Sequence, residues 1–148
     1  MAEKRPVKPA ASKAPAHPHS VLVVDDSPTL RENLCAWLER RPSVRVVGIA
    51  RDGREALVQA EALKPDLVLM DVQMPLMGGL EATTHLRRLF PGARIILMSL
   101  QDSPSIQRAA FARGAHGFVG KTRIMDELMP EIERVFGLKP ADEAPPAS

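Results

Sequence analysis

Along this chain, short and largely apolar runs alternate with longer stretches in which apolar residues return every three or four positions. The most sharply bounded run is Leu67-Val68-Leu69-Met70-Asp71, inside residues 65–75, entered through Pro65-Asp66 and left through Met74-Pro75. A run of that length between turn residues suits a strand buried on both faces, as in parallel sheets. Similar runs occupy residues 21–24, 44–49, 94–99 and 116–119.

The intervening stretches carry helical spacing. Ser27-Pro28 places a cap and a first-turn proline ahead of Leu30, Leu34, Trp37 and Leu38. A second helix starts near Asp52-Gly53 and turns Ala56, Leu57, Ala60 and Leu63 inward; a third runs from Gly78-Gly79 to about Phe90. Ser103-Pro104 repeats the first start signal, and Gly114 stops that fourth helix. Thr122 can cap a last helix with Ile124, Leu128, Ile132 and Val135 on its apolar face. Five strands alternating with five helices predict an α/β fold: a doubly wound parallel sheet, in the flavodoxin-like order 2-1-3-4-5.

Length and composition agree with one such domain. The chain has 148 residues, 45% hydrophobic and 26% charged, enough for a sizeable core. One cysteine, Cys35, permits no internal disulfide and suits a reducing compartment. No apolar run has the length of a signal peptide core or a membrane helix, so a soluble cytoplasmic protein is expected.

The pI of about 9.0 raises the question of nucleic acid. Residues 1–20 hold Lys4, Arg5, Lys8 and Lys13 against Glu3, and residues 137–148 hold Lys139 against Asp142 and Glu143. Subtracting both from the net +2 leaves residues 21–136 neutral. The basic excess lies in an arm, which argues against a DNA-binding face on the domain. Residues 1–19 read as a disordered Pro/Ala/Lys-rich arm, with a docking arm as runner-up; 20–136 is the domain and 137–148 a disordered tail. His17 and His19 lack the further ligands of a metal site.

Parallel strands share one C-terminal edge, where an α/β sheet binds its ligands. Strand one ends in Asp25-Asp26, strand three in Asp71, strand four in Ser99 and strand five at Lys121, and these four strands are neighbours in the proposed order. Alone, each residue has an ordinary explanation: a helix cap, a turn hydroxyl, a solvated amine. As a set they form a site. Three carboxylates brought together repel, by about 4 kcal/mol per pair at 4 Å and an effective dielectric near 20, and so recruit a cation such as Mg²⁺. Lys121 and Ser99 can hold phosphoryl oxygens, with Asp71 as the oxygen nucleophile. The methionines Met70, Met74, Met77 and Met98 are read as packing, as are Cys35 and Trp37; Asp52 and Asp66 suit caps or turns.

With Val23-Val24-Asp25-Asp26-Ser27, Leu69-Met70-Asp71-Val72-Gln73-Met74-Pro75-Leu76-Met77-Gly78-Gly79-Leu80-Glu81, Met98-Ser99 and Gly117-Phe118-Val119-Gly120-Lys121 in place, residues 20–136 resemble a receiver domain of a two-component response regulator. The resemblance implies a signalling switch, with no catalysis beyond its own phosphoryl transfer and acyl-phosphate hydrolysis. Asp71 would accept a phosphoryl group from a histidine kinase or phosphotransfer protein. Asp25, Asp26, Asp71 and the Gln73 backbone carbonyl would bind Mg²⁺, with Asp25 acting largely through water. Ser99 and Lys121 would hold the phosphoryl oxygens, and Ser99 with Phe118 would form the switch that remodels the face of the fourth helix, fifth strand and fifth helix.

Four positions depart from the family pattern: Thr122 follows the lysine where proline is common, and Gly78 replaces a common acidic residue. Gln73 and Gln101 stand where side chains tune acyl-phosphate hydrolysis, and Phe118 has no hydroxyl. Twelve residues counting from Gly137 are too few for a helix-turn-helix, which favours output through a protein partner, with homodimerisation left open. The competing readings are a DNA-associated regulator using the basic arm, an aspartyl-phosphate hydrolase, and a degenerate receiver that only binds a partner.

Overall fold

The computed structural model of the chain describes residues 17–137. Its elements are β1 (His19–Val24), α1 (Pro28–Glu39), β2 (Val44–Ala50), α2 (Gly53–Leu63), β3 (Leu67–Asp71), α3 (Gly79–Leu89), β4 (Arg94–Ser99), α4 (Pro104–Ala112), β5 (Gly117–Gly120) and α5 (Ile124–Phe136). The strands are parallel in the order β2-β1-β3-β4-β5, as the alternation of elements predicts.

Period-two alternation sorts the strand residues between two cores. Val21, Val23, Leu67, Leu69, Ile96, Met98 and Val119 pack with Leu34 and Leu38 of α1 and Leu128, Ile132 and Val135 of α5. Leu22, Val24, Val68, Met70, Ile95 and Leu97 face Ala56 and Ala60 of α2, Ala82 and Leu86 of α3, and Ala110 of α4. All five residues of β3 are buried, which explains why that stretch reads as continuous apolar sequence rather than as alternation.

The start signals are met for three helices. Ser27, Asp52 and Ser103 each accept the backbone N–H of the residue three positions on, and Pro28 and Pro104 open their helices. Gly114 stands at φ 103°, a left-handed conformation that a side chain would strain, and so ends α4. Asp66 takes the turn role expected of it: Ser20 N–H donates to its Oδ2 and its own N–H donates to Ser20 Oγ, both at 2.9 Å.

Several local expectations need correction. Thr122 does not cap α5; residues 121–123 form a 3₁₀ turn with Thr122 exposed, and α5 begins at Ile124 without a side-chain cap. β5 is one residue later than expected, because His116 is buried with its Nδ1 accepting the Ile95 N–H at 3.0 Å. Leu63, the last residue of α2, is more than a third exposed rather than buried, although its Cδ1 lies over Gly48 of β2. β1 begins at His19, within the stretch read as an arm, and the His19 ring stacks on Phe136 with 3.6 Å between centroids. The remainder of the expected arm and tail lies outside the described residues.

Candidate functional site

Each functional side chain is delivered by the end of a strand. The β1 ladder carries Asp25 to its end, where its N–H still donates to Ala50 O at 3.1 Å. The chain then turns into α1, and Ser27 N–H donates to Asp25 Oδ1 at 2.9 Å. Asp25 is wholly buried, while Asp26 beside it is exposed. Asp71 closes β3 at 5% exposure, in register with Met98 of β4. Ser99, the next residue on β4, is 1% exposed, and its Oγ accepts the Gln101 N–H at 2.9 Å.

Lys121 joins these strands. Its Nζ lies 2.9 Å from Asp25 Oδ2 and 3.1 Å from Asp71 Oδ2, on a side chain only 8% exposed. Carboxylate oxygens of Asp25, Asp26 and Asp71 all fall within 4.8 Å of one another. The structure brings Asp25, Asp26, Asp71 and Lys121 together, with Ser99 one residue beyond Met98, the register partner of Asp71. Gln73 follows in the loop: its N–H donates to Asp71 Oδ1 at 3.3 Å and its Nε2 to Gln101 Oε1 at 3.4 Å.

Electrostatics reflect the crowding. Burial pushes the Asp71 carboxyl above its ordinary value; Lys121 opposes that through charge and hydrogen bond, and the Asp25 charge adds to it. For Lys121, burial works downward as the largest single effect. The Asp25 hydrogen bond and the charges of both carboxylates outweigh it, and the ammonium is held above its usual range. The site therefore holds a firm cation between carboxylates that are costly to ionise together.

The donor set fits a hard divalent cation. All donors are oxygens, one carboxylate is exposed enough to meet a hydrated ion, and Asp25 Oδ2 is buried without a well-directed hydrogen bond despite its ion pair. Receiver domains bind Mg²⁺ at an acidic aspartate cluster of this kind.

The loop after Asp71 is pinned to its surroundings. Val72 N–H donates to Met98 O and Gly79 N–H to Val72 O, both at 2.8 Å, while Gly53 N–H donates to Met77 O at 2.8 Å. Leu76, in the same loop, is 77% exposed with φ 68°, a strained conformation for a leucine. Phe118 is half-buried against the α2–α3–α4 core, and its N–H donates to Glu131 Oε2 at 3.0 Å.

One residue escaped the sequence reading. Arg31 of α1 is buried, and its Nη1 donates to Asp25 O at 2.8 Å. The available signal was its register: Arg31, Leu34 and Leu38 share the inward stripe of α1.

The response regulator receiver domain family matches the chain over residues 21–133. The response regulator GacA of Pseudomonas viridiflava is 38% identical over 78% of this chain and 54% of its own length. The nitrate/nitrite response regulator NarL of Escherichia coli K12 is 33% identical over 79% of this chain and 54% of its own. The chain thus spans about half the length of these curated relatives. Among solved structures, the response regulator domain of Thermotoga maritima CheB superposes with TM-score 0.76 at 32% identity, covering 82% of this chain and 98% of that one. A chain of the CheX–CheY–BeF₃–Mg²⁺ complex from Borrelia burgdorferi does so with TM-score 0.75 at 25% identity, covering 82% of this chain and 91% of that one. The chain belongs to the response regulator receiver domain family of two-component systems.

Proposed function

We propose that the domain is a phosphorylation switch in which Asp71 accepts a phosphoryl group from a histidine kinase or phosphotransfer protein. The observation that carries this reading is the single ammonium of Lys121 lying between the buried carboxylates of Asp25 and Asp71. A carboxylate so placed is a poor helix cap and a poor surface charge, but a well-oriented nucleophile.

In the transfer, an Asp71 carboxylate oxygen bonds to phosphorus as the phosphorus–nitrogen bond to the donor imidazole breaks, and the imidazole departs with that electron pair. Lys121 faces the equatorial oxygens as charge develops on them, and Ser99 has a hydroxyl proton to donate to them. Asp25, Asp26, Asp71 and the Gln73 carbonyl would hold Mg²⁺, which when bound supplies further neutralisation of the phosphoryl charge.

Once Asp71 carries phosphate, the Ser99 hydroxyl exchanges its Gln101 N–H for the new oxygens. Phe118, half-buried beside β4, turns into the space released. The face formed by α4, β5 and α5 then differs between the two states and is read by a protein partner. The Borrelia complex, named with BeF₃ and Mg, supports this as a family property.

Incubation with radiolabelled acetyl phosphate and Mg²⁺ is expected to label the chain. The label should be absent in Asp71→Asn and abolished by chelation. A label of undiminished strength in Asp71→Asn would remove Asp71 from the central role.

A further inference from the structure

We propose that Arg31 is a positioning residue for the cation site, fixing the Asp25–Asp26 peptide from its buried side so that both carboxylates face the ion; this rests on the acidic cluster being a Mg²⁺ site. Arg31 lies on the inward stripe of α1 with Leu34 and Leu38 and is 8% exposed. A guanidinium withdrawn from water costs several kcal/mol unless other groups compensate it. Among the described residues Arg31 makes one hydrogen bond, to a backbone carbonyl, its Nε has no partner, and no carboxylate pairs with it. A leucine or methionine would complete the same stripe at less cost. Packing alone therefore does not explain an arginine here.

Its one contact gives the explanation. Asp25 is held at every polar atom: the N–H by Ala50 O, Oδ1 by the Ser27 N–H, Oδ2 by the Lys121 ammonium, and the carbonyl by Arg31. Three of those anchors come from the backbone or from Lys121, a residue the reaction needs free to meet a phosphoryl group. The Arg31 anchor lies on the buried side of the turn and is independent of that exchange. The carbonyl belongs to the peptide that also carries the Asp26 N–H, so holding it sets the direction in which Asp26 leaves the strand. The guanidinium further offsets charge: three carboxylates against Lys121 leave −2, and Arg31 brings the cluster to −1. Removing that charge alone would tighten cation binding, while removing the tether loosens it. The tether dominates.

The test is Mg²⁺ titration by calorimetry on the full chain, with Arg31→Met, Arg31→Gln and Arg31→Lys, and Leu34→Ala as a buried α1 change that does not touch Asp25. Both neutral variants are expected to raise the Mg²⁺ Kd roughly 10-fold, the usual scale for groups that orient metal ligands. Arg31→Lys should recover part of the loss, and Leu34→Ala should lower Tm with Kd unchanged. If Arg31→Met does not fold, Arg31→Gln carries the measurement. A folded neutral variant with wild-type or tighter Kd, or an equal rise in Leu34→Ala, overturns the proposal. Absence of Mg²⁺ binding in the wild-type chain would instead remove the cation site itself, and the proposal with it.

Discussion

Lys121 Nζ lies 3.1 Å from Asp71 Oδ2 and 2.9 Å from Asp25 Oδ2, so one ammonium holds two buried carboxylates in place. It does not fully relieve Asp71. Burial still raises the Asp71 carboxyl above its ordinary 3.8. A raised carboxyl value means that the folded state binds the proton more tightly than the unfolded one. The stability it contributes is complete below 3.8 and is lost as pH rises through the higher folded value. At pH 7, therefore, the ionised Asp71 weakens the fold. Asp71→Asn should raise Tm at pH 7, and the difference should close as pH falls through the raised Asp71 value. A thermal melt series across pH checks this, and an unchanged or lower Tm at pH 7 would contradict it.

Removing the cation has the opposite effect. Lys121→Met leaves Asp25 and Asp71 facing each other without the ammonium between them, the Arg31 guanidinium remaining on the Asp25 carbonyl. Breaking a buried pair by deleting one partner costs about 3–5 kcal/mol, and the loss should shrink at low pH as a carboxyl protonates. Millimolar Mg²⁺ should restore much of the Tm, since an ion bound only by the folded state stabilises it by mass action. A Lys121→Met protein that melts like wild type, or that ignores Mg²⁺, would show that the carboxylates are not a coupled cluster.

The course from sequence to site was legible where one force dominates. β3 is buried on both faces, so hydrophobicity alone marks it, and a carboxylate at its end has few reasons to be there. The strand order followed from the alternation of elements and the handedness of crossovers. What stayed hidden depends on small energies or on three-dimensional company. Thr122 has the chemistry of a cap, yet a 3₁₀ turn carries the chain past it. Arg31 looks like a surface residue until the helix is wound and its register with Leu34 and Leu38 is seen. β5 starts one residue late because the His116 ring occupies a buried polar position that composition cannot announce.

Gln73 and Gln101 link the loops after β3 and β4 through their side-chain amides at 3.4 Å. Gln101 also donates its N–H to Ser99 Oγ, so the same loop governs the hydroxyl proposed to meet the phosphoryl group. Replacing both glutamines with alanine opens the approach of water to Asp71. The phosphorylated lifetime is expected to shorten several-fold, with labelling itself retained. Decay of the label after removal of the phosphodonor measures this; an unaltered lifetime in the double variant would remove the pair from control of hydrolysis.

Gly79 and Gly92 offer a paired test of close packing near the site. A Cβ on Gly79 would run into the Asp71 carbonyl oxygen and approach its carbon and Val72 Cα at 3.0 Å, all of them backbone atoms that cannot rotate away. Gly92, between α3 and β4, has nothing within 4 Å. Gly79→Ala is expected to cost about 1–3 kcal/mol or more and to disturb the loop after Asp71. Gly92→Ala should be neutral or slightly stabilising, because it narrows the unfolded ensemble. Denaturant melts give both numbers, and equal stability of the two variants would contradict the packing described.

At the opposite edge of the sheet, the His19 ring lies on Phe136 with an interplanar angle of 5°, joining the first residue of β1 to the last of α5. Burial lowers the His19 value below its ordinary 6.5, with Asp66 pulling the other way. A lowered value means that the neutral ring is favoured in the folded state. The stability it brings is present above 6.5 and is lost as pH falls through the lower folded value. Amide exchange in β1 and at the end of α5 should therefore quicken, relative to the centre of the sheet, as pH falls through the lowered His19 value. His19→Phe keeps the stacked pair and removes the titration, so its exchange should lose this pH dependence. If the variant and wild type respond to acid alike, the clasp does not depend on the charge of His19, and another group must open the edge.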